Sequence, residues 1–171
     1  MKALMVLAAL GVLCRQDVDS IYTDEERGFS IPVPQGWSIT RTADRSKSLI
    51  LRAPADARTG ATLILAIQDP MKAVFDGTIT LDTFLEEVKK QYPKKFTEFE
   101  WVKSEKGKDG ENPTLTLYYK YTTSGNRISQ MQHLVWTRGN HWSLSWGCLD
   151  DAFEKQKETF ERCSKAFRPK K

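Results

Sequence analysis

The residues best able to do chemistry are few. The chain holds two histidines, His133 and His141, and three cysteines, Cys14, Cys148 and Cys163. A protein zinc site takes three or four His, Cys or carboxylate ligands, with pairs at short spacing. No His/Cys cluster of that kind occurs. Asp150-Asp151 offers two carboxylates for acid–base work or calcium binding, but ahead of a helical pattern the pair reads as a helix cap. A nucleophile elbow, a phosphate-binding loop and a dinucleotide fingerprint are all missing from the sequence. His133 is expected opposite Trp146 on a covered sheet face, as a packing residue. His141 lies at a hairpin turn and is expected in solvent. These residues assemble no catalytic constellation, so neither an enzyme nor a cofactor is expected.

Binding chemistry is the next candidate. Tyr119, Tyr121, Gln130 and Gln132 fall on one sheet face near the end of a hairpin. Phenols and amides can line a small polar pocket where a covering helix falls short, so these four are the candidate ligand-binding residues. Trp142 and Trp146 share a face with Leu144 between them, which suits core packing better than a stacking platform. Lys89, Lys90, Lys94, Lys95, Lys103, Lys106 and Lys108 are interspersed with acids and read as solvated faces. Lys and Arg total 26 against 22 Asp and Glu, a formal charge of +4. That excess is too small to argue for a nucleic-acid partner.

The N-terminus reads as an address. Met1-Lys2 precedes Ala3–Leu13, a run without polar side chains, and Cys14-Arg15-Gln16-Asp17 is abruptly polar. A positive start, a short apolar run and small residues describe a secretory signal. The run is too short to span a bilayer, which takes about 20 residues. Cys14 after it resembles the lipidated cysteine of a bacterial lipoprotein, although Leu13 stands where such signals carry Gly, Ala or Ser. Residues 1–13 are therefore expected to be a signal, 14–27 an extension and 28–168 a single domain. The expected location is secreted, periplasmic or at the cell envelope, with membrane contact only through a lipid on Cys14.

Losing or lipidating Cys14 leaves Cys148 and Cys163, an even pair in an oxidising compartment. Twelve helical residues from Asp151 to Cys163 rise about 18 Å. The three residues before Asp151 recover at most about 10 Å. A disulfide tolerates a Cα separation of up to about 6.8 Å. The bond therefore requires the last helix to begin nearer Glu154, and the alternative is two buried thiols.

The elements that would hold these residues follow from periodicity. Phe29, Ile31 and Val33 alternate in a strand that Pro32 demotes to an edge or irregular strand. Trp37–Thr42 and Ser48–Ala53 are extended, and Ala61–Gln68 is apolar on both faces, as in a buried central strand. Leu81, Phe84, Leu85, Val88 and Tyr92 make one helical stripe, capped by Thr80 or Thr83 and stopped by Pro93. A meander follows over Thr97–Glu105, Pro113–Thr123, Arg127–Thr137 and His141–Cys148. A helix over Asp151–Phe167 closes the chain. With Gly139-Asn140 as a two-residue loop, Trp142 opposes Thr137, Leu144 opposes Val135, and Cys148 opposes Met131. Leu115, Leu117, Tyr119 and Tyr121 then share the opposite face with Ile128, Leu134 and Trp136. Both faces of the antiparallel sheet are apolar and need cover. The expected class is α+β, a central antiparallel sheet of about six to eight strands with helices on both faces.

Gly28-Phe-Ser-Ile-Pro-Val-Pro-Gln-Gly-Trp37, Leu115-Thr-Leu-Tyr-Tyr-Lys-Tyr121 and Phe160–Arg168 give this order a resemblance to the PsbP-like superfamily. That superfamily includes the extrinsic photosystem II protein, a Ran-binding import factor and small bacterial envelope proteins. The resemblance spans about residues 28–168. It implies a non-catalytic accessory or binding role and transfers no catalytic residue. The expected function is an extracytoplasmic, monomeric binding protein engaging another envelope protein. The alternative is a small-ligand domain with a cleft between helix and sheet.

Overall fold

The computed structural model describes residues 19–41, 49–55, 59–68 and 78–170. Alternating Phe29, Ile31 and Val33 form β2 (Phe29–Val33), which lies between β1 (Ser20–Asp24) and the short β10 (Arg168–Pro169) in a three-stranded sheet. β2 is thus interior, not an edge. Its proline is tolerated because β10 pairs only with Phe29 and Ser30, so no ladder donor is needed from Pro32 on that side. Residues 20–24, within the expected extension, are a paired strand.

A second sheet has seven strands, all antiparallel, in the order β3-β4-β5-β9-β8-β7-β6. They are β3 (Ser38–Arg41), β4 (Leu49–Arg52), β5 (Thr62–Gln68), β6 (Thr97–Asp109), β7 (Asn112–Thr123), β8 (Asn126–Trp136) and β9 (His141–Leu149). The fold is mostly sheet, with two α-helices among the described residues, α1 (Leu81–Lys95) and α2 (Phe153–Ala166). No described helix is long and apolar enough to cross a membrane.

Strand alternation separates two apolar clusters. Trp142, Leu144, Trp146, Met131 and Val135 pack with Phe160 and Cys163 of α2 and with Phe29 and Ile31 of β2. Leu115, Leu117, Tyr119, Leu134 and Trp136 pack with Leu85 and Val88 of α1. Each fully buried large apolar side chain contributes roughly 1.5–3 kcal/mol. β5 is buried on one face only: Leu63 and Leu65 are fully buried, whereas Ile64 is 46% exposed.

Four local expectations change. The β8–β9 turn spans Thr137–Asn140, because the Thr137 hydroxyl accepts from Asn140 N at 3.1 Å while Thr137 N donates to Asn140 O at 2.9 Å. The pairing therefore slips by two: Val135 opposes Trp142, His133 opposes Leu144, and Met131 opposes Trp146. A slip of two keeps every side chain on its face. His141 begins β9 as expected, but it is only 3% exposed and not in solvent. Pro93 lies inside the last turn of α1, which runs on to Lys95; Thr80 caps the start by accepting from Thr83 N. A proline so near the end removes one donor without blocking the remaining turn. Finally, Asp150–Ala152 form a 3-10 turn and Ala152 precedes α2 without a side-chain cap. Asp150 instead accepts from Ser129 Oγ at 2.5 Å and pairs with Lys120 Nζ at 2.9 Å.

Candidate functional site

Two neighbouring rows of paired residues cross β6–β9. One runs Glu105, Thr116, His133, Leu144, and the next runs Lys103, Tyr118, Met131, Trp146. α2 lies over the β9 end of both rows. Phe160 stacks on Trp146 with centroids 5.0 Å apart, and Trp146 Nε1 donates to Ser164 Oγ at 2.8 Å. At the edge of α2, Tyr118 donates its hydroxyl to Glu161 Oε1 at 3.2 Å. Between helix and sheet is a cleft of about 240 Å³. Its floor is Thr116, Tyr118, Met131 and His133, and Glu161, Ser164, Lys165 and Glu105 form its walls.

His133 is the titratable group at the floor. Burial pushes its imidazole down to about 4, against an opposing pull from Asp109, so the ring is neutral near pH 7. Its Nδ1 lies 2.8 Å from Thr116 Oγ1. A hydroxyl within reach of an imidazole is half of a nucleophile–base pair. Acyl transfer also needs donors aimed at a developing oxyanion. Thr116 is paired on both sides, with Glu105 and His133, so the neighbouring backbone N–H groups belong to the ladder. The contact therefore orients the ring. Outside the floor, Lys103 Nζ sits 4.4 Å from the Tyr118 ring centroid and 2.6 Å from Glu105 Oε1.

The structure places all four expected ligand residues on the other face of the sheet, and a hydrogen bond joins Tyr119 to Gln132. Tyr119 pairs with Gln130 across β7–β8, and Leu117 with Gln132. Gln132 Oε1 accepts from Tyr92 at 2.8 Å and Tyr119 at 3.4 Å, and Gln132 Nε2 donates to Ser143 Oγ at 2.9 Å. Burial raises both phenol pKa values. These groups are spent on one another. Gln130 lies beside Gly147 of β9. Tyr121 packs its ring on Phe96, 4.7 Å away, two residues along from Tyr119.

His141 is not in solvent. It stacks on Trp136 at 4.7 Å, meets Phe84 edge-on at 6.3 Å, and neither ring nitrogen has a partner. Burial lowers its pKa to about 4. Cys148 and Cys163 are free, buried thiols, with burial pushing each pKa up to about 12. No bond joins them, although α2 begins as late as Phe153. Trp146, two residues before Cys148, faces the Phe160–Ser164 turn instead. Cys14 lies outside the described residues. Among those residues no group of three His, Cys, Asp or Glu is placed to hold a metal ion.

The α2 cleft was not found by sequence reasoning. Thr116 and Tyr118 alternate with the apolar side of β7, which was the available signal. How much of their face α2 leaves open depends on where that helix crosses the sheet.

The described residues form an antiparallel, mostly-sheet fold with two helices and a small helix–sheet cleft. The PsbP family model matches residues 20–169, and the chain belongs to that family. No curated protein sequence matches it. Among solved structures it is similar to cyanobacterial PsbP (CyanoP) from Synechocystis. The TM-score is 0.68 at 16% identity, covering 95% of this chain and 98% of that one. It is also similar to a putative regulator of unknown function from Pseudomonas aeruginosa, with TM-score 0.63, 12% identity, and 90% and 99% covered. LpqN of Mycobacterium tuberculosis, involved in cell envelope biogenesis, gives TM-score 0.57 at 15% identity, with 90% and 91% covered. At these identities the likeness is one of fold.

Proposed function

We propose that this protein is a non-catalytic, extracytoplasmic accessory or binding protein of the PsbP family, acting as a monomer on another protein of the cell envelope. The family match over residues 20–169 carries the reading. The leader-like Met1–Leu13 and the envelope role stated for LpqN support the location. Cys14 is the position for a lipid anchor. The two apolar clusters support a large sheet covered on both faces, by α1 on one and by α2 with the small sheet on the other. The basic residues are solvating, with no nucleic-acid role.

The test is fractionation of the native host followed by cross-linking and capture of the tagged protein. The expected result is recovery from the envelope with one partner enriched reproducibly. Recovery from the cytosol with Met1 intact refutes the location, and replicate captures without a common partner refute the accessory role. A diacylglycerol mass on Cys14 would establish the anchor. A second reading, a small-ligand domain, is favoured by the cleft between α2 and β6–β8. It would place the ligand opposite the face that carries Tyr119, Tyr121, Gln130 and Gln132.

A further inference from the structure

The α2 cleft carries charge of both signs in a definite arrangement. Glu161 lies on its helix wall and Glu105 on its strand wall, and both carboxylates are near enough to Tyr118 to add to burial in raising its phenol pKa. Glu161 Oε1 is engaged by the Tyr118 hydroxyl. Lys165 is the one cation lining the cleft. His133 is neutral and adds no charge. Lys103 approaches from the open side of β6, with its ammonium over the Tyr118 ring and against Glu105. An ammonium near an aromatic face and a carboxylate gains from both the ring quadrupole and the ion pair. Lys103 thus makes, from within the chain, the contacts an incoming amine would make. Without it, two carboxylates face one lysine. The floor beside them holds the buried thioether of Met131, an adaptable apolar surface for an alkyl stem.

We propose that this cleft binds a primary ammonium group on an unbranched apolar stem, and that Lys103 is its displaceable internal occupant. This goes beyond the accessory role and holds for either a free amine or a lysine side chain. Lys103 is 44% exposed at its side chain and held by surface-type contacts. Such contacts contribute little individually, so exchange for an incoming amine is feasible. The ligand's ammonium takes the place over Tyr118 between Glu105 and Glu161, and its stem lies on Met131.

The experiment is an amide NMR titration of the full folded domain with n-butylammonium chloride and, separately, with acetyl-Gly-Lys-Gly-amide. n-Butanol serves as the uncharged control. Weak shifts are expected in the wild type, confined to Thr116–Tyr118, Met131–His133 and Glu161–Lys165. Lys103→Met should tighten the Kd about tenfold, the equivalent of one ion-pair and ring contact no longer competed for. Adding Glu161→Gln to Lys103→Met should remove that gain. Butylammonium shifts show that a free amine suffices. Shifts from the peptide alone assign the site to a lysine of a protein segment. The proposal is overturned if Lys103→Met binds neither probe, if n-butanol shifts the same amides equally, or if Glu161→Gln leaves the gain intact. Far-UV circular dichroism of each variant separates these results from misfolding. Partner capture fails or succeeds independently of all of them.

Discussion

Two imidazoles, His141 buried and His133 half-buried, are held here without a charge, and they set an acid limit on stability. Both pKa values fall to about 4 because burial penalises the charged ring. An unfolded histidine titrates near about 6.5. Below that pH the unfolded chain binds protons that the folded one excludes. Stability is therefore full above about pH 6.5 and declines as pH falls towards about 4. Urea melts at pH 7 and pH 5 should show the loss, and an unchanged midpoint would refute it. His141→Phe keeps the stack on Trp136 and removes two unpartnered nitrogens. It should stabilise the fold by about 1 kcal/mol at pH 7 and shrink the acid loss. A clear destabilisation at both pH values would contradict that account. His141 was misplaced by sequence because Gly139-Asn140 looks like a complete turn. The Thr137 hydroxyl and backbone close a longer one, and a side chain's choice of turn partner is invisible to spacing.

At the scale of elements, α2 is fixed to the sheet by one buried polar contact within an apolar interface. Ser164→Ala leaves the Trp146 indole N–H without a partner and should cost about 1–3 kcal/mol, read from the denaturant midpoint. A cost near zero would mean the bond contributes nothing. The β7–β8 turn is Ser124-Gly125, with φ of 48° and 76°. Both residues are left-handed, as a type I′ hairpin requires. Gly125→Ala should cost about 1 kcal/mol in the same assay, although nothing lies near the added methyl. Most elements were legible because period and turn residues are local signals. The Thr80 cap and the α1 stripe follow directly from them. The uncapped start of α2 was not: Asp151, the expected cap, falls inside the Asp150–Ala152 turn ahead of the helix, and Asp150 is held by Ser129 and Lys120 of other strands.

At the scale of the whole molecule, two sheets must be held together. Asp24 of β1 is buried and accepts from Arg41 Nη2 of β3 at 2.7 Å and from Arg27 N at 3.0 Å. Asp24→Ala should cost about 2 kcal/mol, because it breaks charge-assisted bonds across the junction. Equal melting of mutant and wild type would contradict this role. Cys148 and Cys163 are in the core that this junction closes. Neither should react with a thiol reagent in the native state, and both should react after unfolding. Early reaction, or none after unfolding, would refute two buried free thiols. The sequence alone determined which residues share a face on β7, β8 and β9, since alternation has a period of two and survives a slip in register. It also pointed to the family and to an antiparallel sheet with apolar faces. Only the tertiary structure decided that β2 leaves for a sheet of its own, that His141 is buried, and where α2 stops covering its face. Those outcomes rest on contacts between segments far apart in the chain, such as Asp24 with Arg41 and Trp146 with Ser164. Such pairings leave no periodic trace in the order of residues.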